Sequence, residues 1–357
     1  MKKVLIIAPY PPEVSPSQRY RFEHFLPFFN DEGLRYTYAP FLSEKTWYIL
    51  YQKGRTLQKA AGLLRGLLER FVLMTKLGHY DFIFIHREAA PIGPPLFEWI
   101  IGRVFRKKII FDFDDAIWLQ EASENNRWIG FLKWSRKTSI TCRYAWKISV
   151  GNNYLKQYAL RYNLQTIVLP TVVNTTAVHK EQKQINRNTT LPVIGWTGTF
   201  STLQYLAEIL PVLQKLETEV PFRLLVIGNK DPKLPIKHYT YIDWSQEREA
   251  EDLLQIDIGI MPLPDNEWTR GKCGFKAIQY MSLGIPAVVA AVGVNSEIVT
   301  HGVTGYVCET ETDWYSALKT LLLNPDMRMH LGANARQTIE KKYSVQSQKS
   351  NFFSLFR

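Results

Sequence analysis

The sequence predicts an α/β protein made of two Rossmann-like, doubly wound domains facing a central cleft. Three observations predict it. Short β-branched runs alternate with helical stretches along the chain, many of those runs are apolar at consecutive positions, and a polar stretch divides them into two series. Strands alternating with helices imply right-handed crossovers and parallel sheets. Strands apolar on successive positions are covered on both faces. At 357 residues the chain is also long for a single core.

The first series reads "KKVLIIAP", "LRYTYAPF" (the least apolar), "YDFIFIHR", "KKIIFDFD", "WKISVGN" and "QTIVLP". The second reads "PVIGWTG", "FRLLVIGN", "YTYIDW", "IDIGIMPL", "PAVVAA" and "TGYVCE". Between them lies "NTTAVHKEQKQINRNTT", residues 174–190, whose composition suits a linker. The expected domains are therefore residues 1–180 and 190–335.

Composition limits the functions available. Hydrophobic residues make up 46% of the chain and charged ones 22%, as in ordinary globular proteins. The longest apolar stretches, such as "IPAVVAAVGV", fall short of the roughly 18 residues needed to span a membrane. The opening "MKKVLIIAPYPP" has too short an apolar core for a signal peptide and reads as a strand entering a loop. Cys142, Cys273 and Cys308 are scattered, which argues against a disulfide framework or zinc site and suits a reducing cytoplasm.

The net charge of +11 asks for an acidic partner. No zinc-finger, basic-zipper or RNA-binding signature is present, so nucleic acid is not expected. An anionic membrane surface and a phosphorylated substrate remain. Residues 51–78, "YQKGRTLQKAAGLLRGLLERFVLMTKLG", interleave basic residues with leucines at helical spacing. This suits an interfacial helix on a cytoplasmic membrane face, with a solvated helix of one core face as the alternative.

Open parallel sheets bind ligands beyond the carboxyl ends of their strands. There the sequence places "PYPPEVSPSQRYRFEHF" with Arg19 and Arg21, then His86-Arg87-Glu88, then Asp112-Phe113-Asp114-Asp115. In the second series it places Gly198-Thr199, Gly228-Asn229-Lys230 and Pro264-Asp265-Asn266-Glu267. The stretch "RGKCGFKAIQYMSLGIPAVVA", residues 270–290, is the most telling. A helix is expected from about Phe275 to Leu283, with Gly284 as its left-handed cap and Pro286 preventing continuation. Lys272 and Lys276 crowd its start, where the helix dipole disfavours positive charge. Free N–H groups and two ammonium groups make an anion site, and a diphosphate would offset that cost.

The stretch "GKCGFKAIQYMSLGIPAVVAAVGVNSEIVTHGVTGYV" resembles the donor-nucleotide region of group 1 glycosyltransferases, the retaining family 4 enzymes of GT-B fold. "PYPPEVSPSQRYR", "HREAAPIGPP", "FDFDDAIW" and "NARQTIEKKYS" agree with it. The resemblance covers almost the whole chain and is strongest at residues 270–307. It implies transfer of a sugar from a nucleotide-diphosphate donor to a glycan or lipid-linked acceptor, with anomeric retention, in cell-surface polysaccharide biosynthesis. It also implies a C-terminal segment, residues 336–357, that returns to the first domain.

On this resemblance Gly198, Thr199, Gly228, Asn229, Lys272, Lys276, Gln279 and Glu297 form the donor side. Arg19, Arg21, His86 and Arg87 form the acceptor side. Asp114, Asp115, Lys272 and Lys276 carry catalysis. The sequence departs from the family pattern in two places. The family's two acidic residues, with seven residues between them, fall here at Gly271 and Gln279, and Gln279 can bind hydroxyls without charge. The Arg-and-Lys pair that follows the "GWTG" strand in the family is replaced by "GTFSTLQYL".

Retention is compatible with attack from the face of the departing diphosphate, whose own oxygen takes the acceptor proton; stabilising the leaving group then lowers most of the barrier. The spacing Asp112-Phe113-Asp114 also matches carboxylate pairs that hold a divalent metal. With a lysine-rich anion site present, no metal is expected. Asp114 and Asp115 would instead orient the acceptor hydroxyl or, more plainly, cap a helix through "AIWLQEA". A nucleotide-sugar epimerase and a non-catalytic sugar-nucleotide binder are the alternative functions.

Overall fold

The computed structural model describes residues 1–50, 52, 54–119, 134, 136–184 and 191–357. Tyr51 and Lys53 of the basic stretch, the end of "AIWLQEA" and residues 185–190 of the linker lie outside the described residues. The chain divides into two units, Met1–Pro170 with Lys349–Arg357, and Thr171–Gln348.

The first unit carries a six-stranded parallel sheet in the order β2-β1-β3-β4-β5-β6. Its strands are β1 (Lys2–Ala8), β2 (Leu34–Pro40), β3 (Phe82–His86), β4 (Lys108–Phe113), β5 (Lys147–Val150) and β6 (Thr166–Val168). The unbroken apolar runs Val4–Ala8 and Phe82–Ile85 are buried along their length, as central strands require. The polar "LRYTYAP" run is an edge strand, largely open to solvent. The order of the strands reverses direction between β1 and β3.

The second unit carries its own sheet, ordered β12-β11-β10-β7-β8-β9. Here β7 is Val193–Gly198, β8 Arg223–Gly228, β9 Tyr239–Asp243, β10 Ile258–Met261, β11 Ala287–Ala290 and β12 Gly305–Cys308. The reversal lies between β7 and β10, where parallel sheets bind ligands. Tyr280 fills the space beneath it. Its ring lies where a side chain on Gly259 would go, and its hydroxyl accepts from Thr197 N (2.9 Å) and donates to Ile260 O (3.4 Å).

The terminal segment rejoins the first unit later than residue 336, the expected point of return. The helix Pro325–Lys342 packs within the second unit on the helix Phe275–Ser282. Arg336 holds it there by donating to the carbonyls of Thr175, His179 and Ser282. Only Lys349–Arg357 belongs to the first unit. Phe352 stacks on Phe25 at 4.3 Å, Phe356 meets Phe82 edge-on at 5.7 Å, and Lys147 donates to the carbonyls of Ser354 and Arg357. Burial of each such ring is worth about 1.5–3 kcal/mol.

Candidate active site

In the second unit the helix Phe275–Ser282 begins at Gly274, whose φ of 66° is left-handed. A Cβ on Gly274 would run into Ile298, so glycine is required on both counts. The helix ends at Leu283, followed by Gly284 at φ 74°. Both lysines are half-buried near its start. Lys276 Nζ stands 5.4 Å from the ring centre of Trp196 on β7, and Lys272 Nζ stands 4.9 Å from that of Trp268. Each indole offers a negative face that lowers the cost of placing a cation near a positive helix end. Trp196 was not legible as a partner in the sequence, because β7 and the helix meet only through the fold, whereas Trp268 stands four positions before Lys272.

Gly198 and Gly228 are register partners at the adjacent ends of β7 and β8. A Cβ on Gly228 would come within 2.8 Å of Gly198 O, and one on Gly198 within 2.5 Å of the Trp196 ring. Asn229 Oδ1 accepts from Phe200 N (2.8 Å), tying the two strand-end loops together, while the Thr199 and Ser201 hydroxyls lie 2.8 Å apart. Glu297 is exposed on the short helix Asn295–Ile298, which packs beside Gly274. The structure thus gathers Gly198, Thr199, Gly228 and Asn229 at one pair of strand ends, and Lys276 reaches that strand pair through Trp196. Asp265, the acidic residue upstream, is clasped by both arms of Arg270 (2.6 and 2.8 Å).

Gln279 is only 3% exposed, and its Nε2 donates to Glu249 Oε1 at 3.2 Å. Trp244 Nε1 donates to the same oxygen at 3.3 Å. Glu249 opens the helix Glu249–Leu253, which follows β9, and is itself buried. Sequence reasoning missed it. The only trace was one acidic residue among several in "SQEREAED", and nothing local marks which of them turns inward.

In the first unit the acceptor-side assignment needs correcting. Arg21 and His86 are fully buried rather than open to a ligand. Arg21 Nη2 meets Asp112 Oδ1 at 2.5 Å and also reaches Ser149 Oγ, while Nη1 donates to Leu169 O. His86 Nδ1 lies 2.8 Å from Asp112 Oδ2, and Ser149 Oγ donates to Oδ1 at 2.7 Å. Burial would raise the Asp112 carboxyl, but Arg21 and His86 outweigh it and hold it well below the ordinary carboxylate range. Asp112 therefore does not fit the carboxylate pair for a metal, since both its oxygens are committed. A polar run after a strand reads alike whether it faces a ligand or turns into the core. Arg19 is also largely buried, its guanidinium 4.9 Å from the Tyr20 ring centre.

Arg87, Asp114 and Asp115 form a separate, partly open cluster. Arg87 Nε donates to Asp114 Oδ1 and Nη2 to Asp115 Oδ2, both at 2.7 Å. Arg87 adopts φ 60°, left-handed for a non-glycine residue, in reaching both carboxylates. Burial works against its charge, yet the two aspartates raise the guanidinium well above its usual value. Asp114 is held low, with Arg87 prevailing over burial. Residues 114–119 are turn and bend rather than helix, so within the described residues these aspartates clasp Arg87 instead of capping a helix.

Residues 178–338 match the family model of glycosyl transferases group 1. N-acetyl-alpha-D-glucosaminyl L-malate synthase of Bacillus anthracis is 23% identical over 170 residues, covering 44% of this chain. That stretch is 43% of the relative, so less than half of the curated protein is spanned. Among solved structures, sucrose-phosphate synthase from Thermosynechococcus elongatus aligns over 100% of this chain and 98% of its own (TM-score 0.71, 15% identity). Anabaena HepE, solved with UDP and glucose, aligns over 100% and 99% (TM-score 0.69, 13% identity). WaaG, a glycosyltransferase involved in lipopolysaccharide biosynthesis, aligns over 99% of each chain (TM-score 0.61, 12% identity). The fold is GT-B.

Proposed function

We propose that this chain, whose residues 178–338 match the group 1 glycosyltransferase family model, is an enzyme that moves a sugar from a nucleoside-diphosphate donor to a glycan or lipid-linked acceptor with retention. One observation carries the reading. Lys272 and Lys276 stand at the start of the helix Phe275–Ser282, beside the sheet's reversal between β7 and β10, where a diphosphate would meet two cations at the positive end of a helix. HepE was solved with UDP and with UDP-glucose, which supports UDP as the first probe.

In the proposed step the bond from the anomeric carbon to the diphosphate oxygen breaks with its electron pair going to the diphosphate. The acceptor oxygen bonds to that carbon from the same face, and its proton passes to the diphosphate. Lys272 and Lys276 stabilise charge as it develops on the leaving group, and this lowers the barrier without a metal. Asp114 and Asp115, each paired with Arg87, are the acceptor-side groups suited to orient a hydroxyl. Gln279 takes a ribose hydroxyl.

We further propose that the enzyme works at an anionic membrane surface. The helix Thr56–Met74 exposes Leu57, Ala61, Leu64, Leu68, Phe71 and Val72 on one face. Exposed Arg55, Arg65 and Lys76 lie on or beside it, which suits shallow insertion among acidic headgroups. No helix among the described residues is long and apolar enough to cross a membrane.

Calorimetric titration with UDP, followed by incubation with UDP-glucose and a panel of sugar acceptors, tests the transfer. Binding and a product of retained anomeric configuration are expected. Failure to bind any nucleoside diphosphate, or conversion of the donor to its epimer without transfer, would overturn the reading.

A further inference from the structure

An amide side chain has one donating and one accepting end of nearly the same shape, whereas an ionised carboxylate only accepts. Contact with Glu249 therefore decides which way Gln279 is turned. Nε2 must face Glu249 Oε1, 3.2 Å away, and the carbonyl Oε1 must face the other way. Among the described residues, no donor reaches that carbonyl. Trp244 Nε1, donating to the same Glu249 oxygen at 3.3 Å, holds the carboxylate in place from a second element. Trp244 directly follows β9, Glu249 opens the next helix, and Gln279 lies one helical turn beyond Lys276.

We propose that Glu249 is a positioning residue that acts through Gln279, turning its amide so that it offers a ribose hydroxyl of the donor nucleotide an acceptor and no donor. This rests on the donor-site reading above. The arrangement gives position 279 the accepting character of a carboxylate without its charge. A second carboxylate there would touch Glu249, and two in contact do not both remain ionised. It also keeps one negative group away from a ligand that already carries a diphosphate.

The test is the affinity of the full chain for UDP and for its 2′-deoxy and 3′-deoxy analogues, measured calorimetrically below the melting temperature. The wild type should bind UDP about tenfold more tightly than one analogue, since a lost hydroxyl leaves the carbonyl unpaired. Glu249→Gln should bring that ratio close to one by weakening UDP alone. It should raise the Michaelis constant for the donor with little change in turnover. The exchange variant Glu249→Gln with Gln279→Glu, which puts the accepting group at 279 and a donating amide at 249, should restore the ratio. A merely structural Glu249 would move the melting temperature and leave the ratio unchanged in both variants, and that result overturns the proposal. If the wild type binds UDP and both analogues equally, the proposal fails while the donor site stands. If it binds none of them, the donor-site reading itself is wrong.

Discussion

Lys272 and Lys276 stand where a helix disfavours cations, and the structure shows what offsets part of that cost. Each ammonium lies over an indole, an interaction worth about 0.5–1 kcal/mol at exposed sites. Removing either lysine should leave folding nearly intact while removing a charge that faces the leaving group. Lys272→Ala and Lys276→Ala should each lower turnover and donor affinity by about one to two orders of magnitude, from a contact worth roughly 1.5–3 kcal/mol. Steady-state kinetics beside a thermal melt checks this; wild-type kinetics with early melting would make the lysines structural. Gln279→Ala should mainly raise the donor Michaelis constant. Because Gln279 is buried and hydrogen-bonded to Glu249, this variant should also lose about 1–3 kcal/mol of stability. His24 allows a second test at this scale. Burial first, and Arg19 beside it, push its pKa down to about 4. The unfolded chain takes up that proton near pH 6.5, so stability falls as pH drops from about 6.5 to about 4, by at most about 1.4 kcal/mol per unit. His24→Phe should flatten this limb in denaturant titrations, and an unchanged slope would count against it.

At the scale of the element, the helix Thr56–Met74 differs from its sequence reading in one respect. Basic residues at helical spacing suited an interfacial helix or a solvated one, yet one of them, Arg70, turns inward. It donates to the carbonyls of Ala89, Ala8, Ala39 and Pro40, tying the helix to the ends of β1 and β2 and to the loop after β3. Burial lowers its pKa to about 10. The leucines left outside make an apolar face, to which Phe71, 5.0 Å from Phe97, joins the segment bearing exposed Trp99, Val104 and Phe105. Sedimentation with liposomes should recover more protein with anionic than with neutral lipid at low salt, and Leu64→Glu with Leu68→Glu should abolish the difference. Equal recovery with both lipids would refute membrane association. The pattern of leucines was visible in the sequence; which face they occupy was not, because periodicity is the same for an inward and an outward stripe.

At the scale of the whole molecule, two parallel sheets each reverse their strand order once, and the strand-end residues of the second converge on the proposed donor site. If its lysines and helix terminus neutralise the diphosphate, transfer should survive a chelator at full rate. Complete loss of activity with EDTA, restored by manganese or magnesium, would mean that a metal serves the diphosphate. Asp112 would be a poor ligand even then, since Arg21, His86 and Ser149 would first have to release it, and breaking such a buried pair costs about 3–5 kcal/mol.

By itself, the sequence determined the two-sheet α/β architecture, because a strand buried on both faces must be apolar at consecutive positions. It determined the helix at 275–282 as well, because left-handed glycines and a proline mark its ends through local backbone sterics. Lys272 and Lys276 were legible for the same reason: their cost is set by the helix they start. Only the tertiary structure decided that Arg21 and His86 serve Asp112, that Arg87 clasps Asp114 and Asp115, and that Gln279 donates to Glu249. These partners are far apart along the chain. A polar side chain's role depends on the dielectric and the donors around it, and neither is written in its neighbours in sequence.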